Sequence, residues 1–284
     1  MSATIEPAAP AASVAPTGGA YARDLAFAIA VARDAGRIQL DRYERLERID
    51  RKSAHDVVTE ADHLSEAHIL AAIREAFPGD AILAEESGAH ARSDGTAATA
   101  SVGRTWVVDP LDGTINYANG IPFYCVSVAL VEDGRPVVGV VHDPSRGEVY
   151  AATADGPATL DGRVIVASAK AQLADFVVSM ALGGRNAASR YRAVRKAIRI
   201  SRSMGSAALA LAYVGNGRFD AFAQEDGLSA WDVAAAGLVA ERAGATVTDL
   251  GGGPWFDIGK PPNRLGVLAA PAAHHAALLA LVRP

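Results

Sequence analysis

A chain of 284 residues, half of them hydrophobic, is long enough for one large domain or two small ones with a sizeable core. A net charge of −5 is mild and carries no basic excess, which argues against nucleic acid as the main partner. The single cysteine excludes an internal disulfide, and no run reaches the ~18 apolar residues of a membrane span.

Residues 1–19 are rich in Ala and Pro, without Lys or Arg and without the apolar core of a signal peptide. They read as a disordered tail on a cytoplasmic protein. From Tyr21 to about Leu46, Leu25, Ile29, Ala32, Gly36, Leu40 and Tyr43 recur at helical spacing and predict an amphipathic helix. Val57-Val58 is short and extended. Thr59 then caps a second helix, with Asp62 three residues on, close to a capping box; capping by itself accounts for Thr59 and offers one account of Asp62. That helix stops near Phe77-Pro78-Gly79. An apolar run, Ala81–Ala84, leads into Glu85-Glu86, either a solvated turn or one wall of a site. Residues 87–103 are small, polar and glycine-bearing and predict a mobile loop.

Thr105–Val108 predicts a buried strand that stops at Asp109-Pro110, because proline has no N–H for the ladder. Asp109 and Asp112 then sit three residues apart on a Gly-containing turn, followed by Thr114 and Asn116. Two acids with no basic neighbour repel each other, and a shared divalent cation relieves this. An Asp-rich turn with local hydrogen bonds is the plainer account. Beyond it lie strands at 123–131 and 137–142, hairpins marked by Asp155-Gly156 and Asp161-Gly162, and a strand at 175–180. Cys125 falls in an apolar run and reads as a structural thiol.

Residues 190–203 predict a basic amphipathic helix, a solvated face or a subunit contact more than a nucleic-acid site. Gly205-Ser206 opens another helix, where free backbone N–H groups suit an anion, although a simple N-cap explains Ser206 as well. Asp220–Asp226 forms a strand and its exit. Asp232 begins a long apolar helix, and short strands at 246–249 and 265–269 precede a last helix at 271–282. No zinc-type His or Cys cluster, nucleophile elbow or P-loop is present. Oxygen ligands remain, which favours Mg²⁺ or Mn²⁺.

Four blocks resemble, in order, the motifs of the inositol monophosphatase family. They are Asp56–Asp62; Ala84-Glu85-Glu86-Ser87, with Ala84 where the family has Gly; Trp106–Tyr117, with Tyr117 for Phe; and Trp231–Gly237 with Glu241 and Ala243-Gly244. The resemblance covers residues 21–284. It implies an α+β fold, a layered αβαβα sandwich of the inositol monophosphatase and fructose-1,6-bisphosphatase type. One catalytic domain would span 20–284, subdivided near 153–180. It further implies a lithium-sensitive homodimer that hydrolyses a small phosphorylated alcohol with two or three Mg²⁺ ions.

Carried over residue by residue, Glu85, Asp109 and the Leu111 carbonyl would hold one ion. Asp109, Asp112 and Asp232 would hold the second, and Glu85 would also touch a third. Glu85, Thr114 and Asp62 would orient the metal-activated water for in-line attack. Gly113 and Thr114 would bind the phosphate, and Ser206, Asp220 and Glu225 the alcohol. Inositol 1-phosphate is the first expectation. Histidinol phosphate, fructose 1,6-bisphosphate and nucleotide 3′-phosphates are alternatives. An acid at Glu225 favours a polyol or an amine-bearing group over a second phosphate. A regulatory relative binding protein or RNA through the basic stretch is the reading from another class.

Overall fold

Helical spacing makes α1 (Ala22–Arg42) amphipathic, and its inner side, with Ala28, Val31, Ala32 and Ala35, packs on α2 (Glu60–Ala76) and on a long sheet. This computed structural model describes residues 19–45, 49–51, 57–92, 95, 102–184 and 186–284. The tail expected at 1–19 therefore falls, up to residue 18, outside the described residues, as does Asp56 of the first motif.

A ribbon of β1 (Ile49–Arg51) and β2 (Val57–Thr59) leads into α2. The long sheet takes β3 (Ala81–Ala84), β4 (Gly88–His90), β5 (Arg104–Asp112), β6 (Cys125–Glu132), β7 (Arg135–Asp143), β8 (Glu148–Thr153), β9 (Thr159–Leu160) and β10 (Arg163–Val164). Its order is β10-β9-β8-β7-β6-β5-β3-β4, antiparallel except for β3 beside β5. A short helix, α3 (Thr114–Ala118), follows β5 directly. The second sheet holds β11 (Val177–Ala181), β12 (Ile200–Arg202), β13 (Ala221–Leu228), β14 (Ala245–Thr248) and β15 (Leu265–Pro271), in the order β12-β11-β13-β15-β14.

The remaining helices are α4 (Ala187–Ala197), α5 (Ala207–Ala212), α6 (Ala230–Arg242) and α7 (Ala272–Val282). In α6, Ala, Val, Gly and Leu cover all sides, and a helix apolar all round must be buried on all sides. It lies with α5 between the two sheets. Helices α4 and α7 cover the outer face of the second sheet. The layers are thus α1/α2, long sheet, α5/α6, second sheet, α4/α7, the expected αβαβα sandwich.

Three local expectations are corrected. The strand expected to end at Asp109 runs on to Asp112. Proline is accommodated because Asp109 pairs with Ser127 and Asp112 with Cys125, which leaves two β5 residues opposite one of β6: Pro110 sits in a β-bulge. The loop expected at 87–103 contains β4, paired with β3 through Gly88, Ala89 and His90; residues 93, 94 and 96–101 lie outside the described residues. The basic helix ends at Ala197, and Ile200–Arg202 is instead a strand parallel to β11.

Sheet and helix meet most closely at Gly139 on β7, where an added Cβ would stand 2.6 Å from the Ala235 carbonyl oxygen and 2.9 Å from its Cα. Both atoms belong to the backbone of α6 and cannot rotate aside. Gly139→Ala is therefore expected to cost about 1–3 kcal/mol of stability, as overpacked cores do. Chemical denaturation checks this, and an unchanged midpoint would contradict so close a packing of β7 on α6.

Candidate metal and phosphate site

The bulge in β5 does more than accommodate proline. It turns the strand end so that the Leu111 N–H donates back to Asp109 Oδ1 at 3.0 Å, and it brings Asp109 and Asp112 to one cavity. Glu85 arrives from the neighbouring parallel strand: its N–H donates to the Val108 carbonyl at 3.1 Å as β3 ends. Asp232 comes from far along the chain, at the start of α6, where it forms a capping box with Ser229 and its Oδ2 accepts the Ser229 N–H at 2.6 Å. One carboxylate oxygen from each of Asp109, Asp112 and Asp232 lies within 4.8 Å of the others. Glu85, Leu111, Gly113, Thr114 and Gly205 line the same cavity of about 170 Å³. None of its described lining residues is basic.

The electrostatics follow from that crowding. Burial, then the charges of Glu85, Asp112 and Asp232, push the Asp109 carboxyl well above the usual carboxylate range. Burial and the charge of Asp112 do the same to Asp232. Burial raises Asp112 as well, but the Ser206 hydroxyl and the amides at the start of α5 oppose the shift. Acids converging with no basic residue in the described lining are a poor solution for a metal-free core. They are a fitting set for a hard divalent ion, which takes oxygen ligands. Asp109, Asp112 and Asp232 could hold such an ion, with Glu85 and the Leu111 carbonyl beside them.

Beside the acids stands a second constellation. The Thr114 hydroxyl, at the first residue of α3, is 3.0 Å from Asp62 Oδ1 and 3.0 Å from the Leu111 carbonyl oxygen, so one proton has two acceptors. Asp62 is fully buried, and its other oxygen accepts from the Thr59 N–H at 2.8 Å and the Thr59 hydroxyl at 2.6 Å. The capping account of Asp62 thus holds for one oxygen, while the other meets the Thr114 hydroxyl. Gly113 has φ +98°, and a Cβ there would also stand 3.0 Å from the Phe123 carbonyl oxygen, so glycine is required twice over. Cys125 is buried, with its thiol pushed up by burial, as a structural residue would be.

A second cavity of about 320 Å³ opens beside the first and shares Asp112, Gly205 and Asp232 with it. Ser206 lines it, but its hydroxyl donates to Asp112 Oδ2 at 2.6 Å and also accepts from Leu209 N–H as the cap of α5. The N-cap reading of Ser206 thus holds, and its hydroxyl proton takes a further part, holding Asp112, a candidate ligand, in place. Asp220 and Glu225 are not brought to either cavity. Asp220 is fully buried before β13 and accepts from Lys170 Nζ at 2.7 Å, from Val177 N–H at 2.7 Å and from the Ser168 hydroxyl. Glu225 turns to Arg190 on α4 and to the Gly183 amide. Both acids were expected at the alcohol, and both are instead held in ion pairs.

The sequence reading gave no role to Asn116, whose amide donates to the carbonyls of Phe123 and Met204, both at 2.7 Å. This clamp ties the end of the α3 loop to the chain that carries Gly205 and Ser206. Its signal was present: a buried Asn just after the acids, at a position where a helix gains nothing from Asn.

Fold and site together define a layered αβαβα protein with an acidic cluster that could hold a metal ion. The inositol monophosphatase family model matches residues 21–284, and the chain belongs to that family. It is 37% identical to the Nus factor SuhB of Pasteurella multocida over 81% of this chain and 86% of that one. It is 39% identical to the inositol-1-monophosphatase of Mesorhizobium japonicum over 71% and 75%. The crystal structure of the extragenic suppressor protein suhB of Bartonella henselae superposes with a TM-score of 0.82 at 31% identity, covering 92% of this chain and 98% of that one.

Asp112→Asn removes one of the crowded charges while its amide oxygen still accepts from Ser206 and Ala208. The metal-free variant is expected to be at least as stable as the parent. The stabilisation by Mg²⁺, about 2.7 kcal/mol at a hundred times the dissociation constant, should vanish. Calorimetric melting with and without Mg²⁺ reads both, and a retained Mg²⁺ shift would count against Asp112 as a ligand.

Proposed function

We propose that the chain is a Mg²⁺-dependent phosphoric monoester hydrolase, an inositol-1-phosphate phosphatase. The observation that carries this is the meeting of Asp109, Asp112 and Asp232 within 4.8 Å, next to the buried Thr114–Asp62 hydrogen bond. Glu85, Asp109 and the Leu111 carbonyl would hold one ion, and Asp109, Asp112 and Asp232 the second, with a third near Glu85. Bound Mg²⁺ supplies neutralisation of the phosphoryl oxygens and acidification of water. The protein supplies the rest. Glu85 and Thr114 Oγ1 fix the attacking water in line with the leaving oxygen. Thr114 leans its proton on Asp62, so its lone pairs face the water. Gly113 and Thr114 amides meet the phosphate. The family relative from M. japonicum carries the same named activity.

Two finer features follow from the resemblance, inhibition by Li⁺ and assembly as a homodimer. Among the described residues no helix is long and apolar enough to cross a membrane. A second reading, a regulatory role beside catalysis, is supported by the relatives named Nus factor and by Arg192, Arg195 and Lys196, exposed on α4. RNA binding retained by Asp112→Asn would favour it.

Phosphate release from inositol 1-phosphate, histidinol phosphate, fructose 1,6-bisphosphate and a nucleotide 3′-phosphate tests the main reading. Inositol 1-phosphate should turn over fastest with Mg²⁺, and nothing should turn over with chelator. Li⁺ should inhibit in a dose series. Thr114→Ala should lower kcat by about 10²–10⁴ while the Mg²⁺ melting shift survives. Full turnover by that variant would remove Thr114 from the mechanism.

A further inference from the structure

The geometry points to Gln39, on α1, as a positioning residue of the acidic site: its side-chain amide grips the peptide unit that aims Asp109. This rests on the metal-dependent phosphatase reading for its effect on turnover only.

Pro110 and Leu111 have no partner in the β5–β6 ladder, because Asp109 pairs with Ser127 and Asp112 with Cys125. Both are buried, so the peptide unit between them needs partners from elsewhere. It has one at each end. Its N–H, from Leu111, donates to Asp109 Oδ1 at 3.0 Å. Its carbonyl, from Pro110, accepts from Gln39 Nε2 at 2.6 Å. A peptide unit is planar, so a bond to the oxygen sets the direction of the N–H as well. A donor on the carbonyl also polarises the unit and strengthens the N–H as a donor to Asp109. The same plane fixes one of the two soft backbone angles of Leu111, whose carbonyl is a candidate ligand beside Asp109.

Gln39 is fully buried, yet its Oε1 has no hydrogen-bond partner among the described residues. Turned over, the side chain would set two oxygens face to face, so its orientation is fixed. An apolar side chain of similar length would leave no orphan acceptor there. Of the two ends of this amide only the donor is used, and it is used on the bulge. Two features of α1 bring it within reach. Gly36, three residues earlier on the same face, lets the helix lie close on β7: a Cβ there would stand 2.5 Å from His142 Cδ2. The Gln39 main-chain carbonyl also accepts from the Tyr117 hydroxyl at 2.6 Å. Tyr117 stands where the family motif has Phe, so the hydroxyl that ties α1 to α3 is this chain's own departure from that motif.

The test compares the parent with Gln39→Met, nearly the same in length but without a donor, and with Tyr117→Phe, which removes the other bond to α1 and keeps the Gln39 amide. Mg²⁺ binding is measured by calorimetry, Leu111 amide exchange by NMR in the metal-free protein, and hydrolysis of inositol 1-phosphate over a Mg²⁺ series. Gln39→Met should weaken Mg²⁺ binding about fivefold, the value of one neutral hydrogen bond. It should speed Leu111 exchange and raise the Mg²⁺ concentration for half-maximal rate, with the rate at saturating Mg²⁺ nearly kept. Tyr117→Phe should lower the melting temperature and leave Mg²⁺ affinity unchanged. A Gln39→Met variant that melts earlier but matches the parent in Mg²⁺ affinity and Leu111 exchange is a packing variant only, and overturns the assignment. Equal weakening by Tyr117→Phe overturns it too, because docking of α1 as a whole would then be the cause. Should the methionine variant not fold, Gln39→Asn, one methylene too short to reach Pro110, takes its place in the same measurements. If no ester turns over while Mg²⁺ binding keeps the Gln39 effect, the phosphatase reading falls and this one stands.

Discussion

Mutual repulsion among carboxylates is the constraint on which this structure turns. Asp109, Asp112, Asp232 and Glu85 meet in a cavity with no basic residue in its described lining, and burial pushes the first three toward their neutral forms, Asp109 and Asp232 also under their neighbours' charge. Such an arrangement opposes folding unless something holds each acid in place. Backbone N–H groups do so here: Leu111 to Asp109, Ala208 to Asp112, Ser229 to Asp232. Each of those amides belongs to the start or bend of a regular element. Asp109, Asp112 and Asp232 are thus clamped by secondary structure at the edge of the cavity.

The layering explains why those elements meet. Helix α6 is apolar all round and can only sit between two sheets, which forces its N-terminus, with Asp232, to a fixed height along β5 and β6. The bulge at Pro110 sets the height of Asp109 and Asp112 on the other side. Glu85 follows because β3 is the one strand parallel to β5, so both end at the same edge. A shift of α6 by one turn, about 5.4 Å, would carry Asp232 out of reach. Close packing at Gly139 and Gly237, where α6 meets β7 and the Trp255 ring, resists that slide.

Much of this was legible in the chain. Periodicity placed α1, α2 and α6, and the acid pair on its glycine turn marked the site before any fold was drawn. What stayed illegible has physical causes. Proline in a strand reads as a stop unless the partner strand reveals a bulge, and that partner lies beyond the local window. Ile200–Arg202 continues a helical pattern, yet pairing with β11 decides its conformation, a tertiary preference over a local one. Asp220 and Glu225 looked like free acids because their partners, Lys170 and Arg190, are 50 and 35 residues away.

That last point divides the site into two kinds of information. In the first cavity, Asp109, Leu111, Asp112, Gly113 and Thr114 are close in sequence, on one strand end and the helix after it, so spacing exposes that part, whereas Glu85 and Asp232 arrive from β3 and α6. The second cavity is lined from β11, the chain before α5, and β13, and its side chains are chosen by which face of a strand they occupy. A one-residue change of register on β13 would exchange Gln224 for Glu225 on the cavity wall and replace a neutral amide by an acid. The acid pair is therefore written locally and the lining of the second cavity in the register of the second sheet.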